Sequence, residues 1–373
     1  MQLVCFSHLR WNFVYQRPQH LLSRFAKAYK VYFIEEPTPT DAPDDHYDAS
    51  VTSKGVTVIV PRLSTAVSGN ENSRLRALVN RIFAGYRIDD FIAWYYTPMA
   101  LPFTRHLEPA VTVFDAMDEL SAFKFAPTEL KELEAEMMER ADVVFTGGQS
   151  LYEAKKHRHV NIHSFPSSID KAHFAQARTL VDSPTDQRAI PHPRLGFYGV
   201  VDERFDMELL RDMAAQRPEW HYVIIGPVVK IDPKTLPKAE NIHYLGGRQY
   251  NELPAYLSGW DVALVAFAMN ESTRFISPTK TPEYLAAGRP VVSTPIHDVV
   301  HPYGEEGLVA IAHNAEEAVT YAEELMQMDK TAWLRRVDTF LQNFSWDETW
   351  AAMNTLINEA LTEKTQIPVC TTI

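Results

Sequence analysis

The sequence predicts an α/β protein built of two doubly wound domains, each around its own parallel sheet. Three observations carry that expectation. Short apolar runs alternate with helix-period segments through the first half of the chain, and the same alternation restarts after a polar, proline-rich stretch. The length, 373 residues, suits two ordinary domains rather than one. Strands separated by helices need crossover connections, which implies parallel sheets covered on both faces.

Taken in order, LVCFSHL (3–9) reads as the first strand, and RPQHLLSRFAKAY carries a helical stripe at Leu21, Leu22, Phe25 and Ala26. KVYFIEEP is a second strand ending at Pro37. VTVIV (56–60), FIAWYY (91–96), VTVFDA (111–116) and DVVFTGG (142–148) supply further strands, with PTELKELEAEMMERA a helix before the last of them. Residues 176–193 hold three prolines and no periodicity, and so read as a linker. Beyond it come RLGFYGVV, WHYVIIGP, NIHYLGG, DVALVAF, RPVVSTP and LVAIA as strands, with DMELLRDMAAQRP a helix. The last helix opens with Ser345 and Glu348 at capping-box spacing and aligns Trp346, Trp350, Met353, Ile357 and Leu361 on one face. A stripe that aromatic requires a partner surface. The expected divisions are 1–175, the linker 176–193, 194–345, and a terminal helix and tail over 346–373 that frays beyond Glu363.

Composition narrows the function. Hydrophobic residues make up 46% and charged residues 23%, enough apolar material for real cores. A formal net charge of -12 argues against a nucleic-acid protein working by broad phosphate neutralisation, though not against a local basic pocket. Cys5 reads as a buried strand residue and Cys370 as incidental to the tail, with no disulfide or zinc pattern. No signal peptide or membrane-spanning run is visible. The expectation is a cytoplasmic protein, with peripheral membrane contact left open.

The most informative stretch is SPTKTPEYLAAGRPVV (277–292). Ser277 as N-cap, Pro278 in the first turn and the amides of Thr279 and Lys280 describe a helix start that attracts an anion. Lys280 stands where the helix dipole disfavours a cation, which a bound phosphate would explain better than helix stability. Glu283 shares its face, either as an ion-pair partner of Lys280 or as an acceptor for sugar hydroxyls. The letters also spell S-x-x-K, the sign of a lysine-activated serine nucleophile. The companion S-D-N and K-T-G elements are missing, so that reading is set aside. Gly199, at a strand end, either lets a ligand approach the backbone or merely permits a tight turn, and Arg204 lies in the same loop.

In the first half, an unusually polar and aromatic loop joins a strand to a helix, with Arg17 and His20 flanking Pro18; Gln16 and Arg17 are candidates to face a ligand in the cleft, the alternative being an exposed surface arginine. Asp115 and Asp118 follow the strand VTVFDA. Acids there orient or deprotonate a hydroxyl, or cap a helix. Asp118 is the preferred catalytic candidate, with Arg17 and Lys280.

The string NIHYLGGRQYNELPAYLSGWDVALVAFAMNESTRFISPTKTPEYLAAGRPVVSTPI resembles the donor-binding half of GT-B-fold glycosyltransferases. With CFSHLRWNFVYQRPQHLLSRFA, DAMDELSAFKFAP and FPSSIDKAHF, it resembles the E-x7-E enzymes of bacterial surface-polysaccharide and teichuronic-acid assembly, over essentially the whole chain. The resemblance implies two Rossmann-like domains facing a central cleft, with the terminal helix crossing back onto the first. It implies a nucleotide-sugar donor, expected to be UDP-linked, a glycan or lipid-linked acceptor, and no metal or further cofactor. It also implies retention of anomeric configuration. Donor-binding roles fall on Gly199, Arg204, Arg248, Tyr250, Ser277, Pro278, Thr279, Lys280 and Glu283, the last as the ribose-binding second acid. Gln16, Arg17, His20 and Asp115 fall on the acceptor side. Phe275 stands where the first acid is expected. That departure motivates one rival, a non-catalytic nucleotide-sugar-binding scaffold; a nucleotide-sugar 2-epimerase on the same fold is the other.

Overall fold

The computed structural model describes residues 1–366 and contains two sheets. The first runs β1 (Gln2–Ser7), β2 (Lys30–Glu35), β3 (Thr38–Thr40), β4 (His46–Val51), β5 (Thr57–Ser64), β6 (Phe91–Tyr95), β7 (Val111–Ala116), β8 (Val143–Thr146) and β9 (Ile162–Ser164). Its spatial order is β3-β5-β2-β1-β6-β7-β8-β9, with β4 added antiparallel to β5. The second contains β10 (Arg194–Tyr198), β11 (His221–Ile225), β12 (Ile242–Gly246), β13 (Val262–Val265), β14 (Val291–Ser293) and β15 (Val309–Ile311). Its order is β12-β11-β10-β13-β14-β15, and every pairing is parallel.

Both faces of each sheet are buried, which is why the strands read as unbroken apolar runs rather than alternating ones. Val4, Phe6, Tyr32 and Ile34 enter one core layer, while Leu3, Cys5, Val31 and Phe33 enter the other. The second sheet repeats this, with Tyr222 and Ile224 on one side and Val223 and Ile225 on the other. β3, β4 and β9 escape the sequence pattern because they are short or exposed along one face.

Two features differ from expectation. Residues 176–193 are not a free linker. Ala177 and Ile190 are buried in the second core, and the fully buried Gln187 accepts from Trp260 Nε1 at 2.8 Å and donates to the Tyr256 carbonyl at 2.9 Å. Phe174 and Ile169 already belong to that core, so the chain changes domain between β9 and Ile169. Polarity misled here, because the polar side chains are spent satisfying buried groups of the second domain. The last helix, Trp346–Gln366, continues beyond Glu363, where fraying was expected; the rest of the tail, with Cys370, lies outside the described residues.

That helix packs on the first domain. Trp346, Met353 and Ile357 are fully buried beside Leu21, Leu22 and Phe25, with Trp350 and Leu361 partly covered. Among the described residues, no helix is long and apolar enough to cross a membrane. Truncating Trp346 to alanine removes a buried ring stacked at 4.7 Å on His20 and is expected to cost about 3–5 kcal/mol. Chemical denaturation followed by tryptophan fluorescence should show the first domain's transition moving to lower denaturant.

Candidate functional site

Because the strands are parallel, the segments that leave their carboxyl ends gather at one edge of each sheet. The two edges face each other across a cavity of about 670 Å³. Its walls are the loop 11–16 after β1, the turns after β10, β11 and β12, and the start of the helix Lys280–Ala286.

Gly199 follows β10 with φ +137, and Lys280 runs directly over it. A Cβ there would lie 2.3 Å from Lys280 Cε, so only glycine admits the lysine along this path. Lys280 Nζ lies over the faces of Phe197 (5.4 Å) and Phe267 (5.1 Å) rather than against a carboxylate. Burial, with Arg204 nearby, lowers its pKa to about 8, against the pull of Glu283, Asp202 and Asp118. Glu283, one turn on, is buried and accepts from the Tyr198 hydroxyl. Burial pushes its carboxyl up to about 8, while Tyr198 and Lys280 restrain the rise. One helical turn thus presents a cation and an acid to the same cavity.

The start of that helix differs from expectation. Thr279 is the N-cap residue and Lys280 the first helical one, so Ser277 does not cap and Pro278 is not in the first turn. Proline disfavours helical backbone at the residue before it. The Ser277 carbonyl instead accepts from Ser167 Oγ at 2.6 Å, across from the segment that joins the domains. Thr279 still lines the cavity beside Lys280.

The other donor-side candidates are partly committed elsewhere. Arg204 lines the cavity but donates to the buried Asp202 at 2.7 and 3.0 Å and lies 5.2 Å over Phe123. Arg248 is drawn aside to Asp186 and to the Tyr256 hydroxyl, 2.5 Å away. Tyr250 is stacked between Tyr15 (4.5 Å) and His173 (4.4 Å), and its buried hydroxyl has no partner among the described residues. Phe275 is outside the cavity wall and packs against the first domain's core.

On the first domain's side, three expected contact residues turn inward. Arg17 is buried and makes a forked ion pair with the fully buried Asp115, at 2.8 to 3.2 Å, while Nη1 donates to the Phe165 carbonyl at 2.8 Å. Neither Arg17 nor Asp115 reaches the cavity, because a carboxylate and a guanidinium facing each other inside the fold satisfy one another. His20 is also buried, between Trp346 and the edge of Tyr250. Gln16 does line the cavity, as N-cap of the helix Arg17–Phe25. Asp118 is half-buried outside the cavity wall, on the side of Arg204. Burial raises it to about 6, with Arg204 and Arg17 opposing the shift.

Two contributors escaped the sequence. Gln19, whose Nε2 donates to the carbonyls of Trp11 and Val14 at 2.7 and 3.0 Å, sets the shape of the loop 11–16. Its spacing from Gln16 was the available signal. Tyr198 holds Glu283, and its place just before Gly199 could have pointed to it.

The raised pKa of Glu283 fixes a sign. Folding favours its protonated form, so the stabilisation is complete below about 4.5 and is lost as pH rises towards about 8. Glu283→Gln should therefore match the wild type in melting temperature at pH 5 and exceed it increasingly towards pH 9. A constant difference across that range would contradict the buried-acid assignment.

Comparisons with known proteins agree with this geometry. Residues 192–328 match the family profile of Glycosyl transferases group 1. TuaH of Bacillus subtilis (strain 168), assigned to teichuronic acid biosynthesis as a glycosyltransferase, is 23% identical over 182 residues. The match covers 46% of this chain and 45% of TuaH, less than half of that relative's length. Sucrose-phosphate synthase of Thermosynechococcus elongatus superposes with a TM-score of 0.71 at 17% identity, over 97% of this chain and 100% of that one. Anabaena Alr3699/HepE, solved with UDP and glucose, gives 0.69 at 15% identity, over 96% and 99%. This chain has the GT-B fold, and its residues 192–328 form a Glycosyl transferases group 1 domain.

Proposed function

We propose that this protein is a glycosyltransferase that moves a sugar from a UDP-linked donor to a glycan or lipid-linked acceptor in cell-surface polysaccharide synthesis. The observation that carries the reading is the pairing of Lys280 and Glu283 on one turn, over Gly199, in the interdomain cavity. The group 1 domain match and the similarity to the glycosyltransferase TuaH support the class of reaction, and the UDP bound to HepE, which shares the fold, supports the nucleotide.

In this reading the diphosphate lies along Lys280 and the amide of Thr279, and Glu283 receives hydroxyls of the donor ribose. As the anomeric carbon leaves the diphosphate, negative charge grows on the departing oxygen. Lys280, assisted by Arg204, stabilises it, with no metal in the step. The acceptor oxygen forms its new bond on the face the diphosphate leaves, and its proton passes to the departing phosphate, so anomeric configuration is retained. Asp118, opposite Arg204, orients the acceptor hydroxyl. The work would take place in the cytoplasm, with the acceptor reached from the membrane surface.

A thermal-shift panel tests the donor. UDP and UDP-sugars should raise the melting temperature, since a ligand bound only by the folded state stabilises it. Lys280→Ala should lower kcat/KM by about 10²–10³ and abolish most of the UDP shift. Retention of full activity and affinity by that variant would sink the phosphate assignment. Asp118→Asn is expected to lower kcat by about 10² with donor KM little changed. Binding with no turnover across donors and acceptors would instead indicate a scaffold, and turnover of donor without acceptor an epimerase.

A further inference from the structure

The two domains meet at Gly148, which with Gly147 directly follows β8. Gly147 lies against the backbone of Met117, the neighbour of Asp118; a Cβ there would stand 2.1 Å from the Met117 carbonyl oxygen. Gly148 faces the other domain. A Cβ on it would lie 2.3 Å from Asp298 Oδ2 and 2.8 Å from Ser277 Cβ. Its backbone is extended, with φ -170, so space rather than backbone conformation demands a glycine there.

Asp298 uses that space. Its side chain is buried, and Oδ1 accepts from the Ser150 amide at 3.0 Å, in the first turn of the helix Gln149–Lys155 of the first domain. The N-cap residue of that helix is Gly148, which has no side chain to offer, so the second domain supplies the missing acceptor. His297 Nδ1 lies 3.0 Å from the same oxygen, while Oδ2 is buried with no partner among the described residues. Ser277, the other residue against Gly148, is bonded through its carbonyl to Ser167 and leads within three residues to Lys280.

We infer that Gly148 and Asp298 are a positioning pair, setting how closely Asp118 of one domain approaches Lys280 of the other. Gly147 fixes the pair relative to Asp118, and Ser277 relative to Lys280. Neither Gly148 nor Asp298 lines the cavity, so both act through other residues. The roles given to Asp118 and Lys280 rest on the proposed glycosyl transfer; the contact between the domains does not.

Hydrogen exchange and kinetics on the full chain test the pair separately. In Asp298→Ala and Gly148→Ala, the Ser150 amide should exchange about tenfold faster than in the wild type, the loss expected for one hydrogen bond to a carboxylate. Asp298→Asn, which keeps an acceptor oxygen in the same place, should retain most of the protection and shows that side-chain loss alone is not unfolding. With donor and acceptor, both disruptive variants should lose about tenfold in kcat while donor KM stays within about twofold. Unchanged Ser150 exchange in both disruptive variants would overturn the contact. Faster exchange with unaltered kcat would overturn the positioning role. If the wild type transfers no sugar, the proposed function fails while the exchange result still decides the contact.

Discussion

A buried ion pair, Arg17 with Asp115, organises the meeting of the two domains. Arg17 begins the helix after β1, Asp115 lies in β7, and the remaining guanidinium arm holds the Phe165 carbonyl where the chain leaves the first sheet. The same helix carries His20, on which Trp346 stacks as the chain returns. The outward and the returning crossings are therefore both referred to one short helix. Removing either partner would leave a buried charge uncompensated, a loss of about 3–5 kcal/mol.

From that anchor the cavity inherits its division of labour. Arg17 spends its charge on Asp115 away from the cavity, and Arg204, in the wall, is paired with Asp202. Lys280 is held instead by two aromatic faces and by the absence of a side chain at Gly199. Desolvation without a close counter-ion is what depresses its pKa, and an incoming anion would relieve exactly that deficit. Glu283 carries the opposite burden, a largely buried acid with the Tyr198 hydroxyl as its direct hydrogen-bond donor among the described residues. Two groups unfavourably placed within one turn of a cavity wall make this the candidate site.

Much of the wall of the candidate cavity was legible because local chemistry made it so. Gly199, Thr279, Lys280 and Glu283 are close in sequence to a strand end or a helix start, and parallel topology sends such ends to one edge. Arg17, His20 and Asp115 were misassigned to the cleft because a polar loop after a strand looks the same whether its side chains face a ligand or one another. Ser277 was misread for a related reason: its capping pattern is real in letters, but Pro278 and the bond from Ser167 hold it outside the helix.

The sequence by itself determined the two largely parallel sheets, most of their strands and the apolar stripe of the last helix, since periodicity and burial are encoded within short windows. Only the tertiary structure decided which charges remain free. That depends on partners far apart in the chain, 98 residues for Arg17 and Asp115 and 148 for Ser150 and Asp298, whose pairing no local pattern records. The domain crossing was hidden for the same reason, because a polar segment becomes part of a core only when distant buried groups exist for it to satisfy.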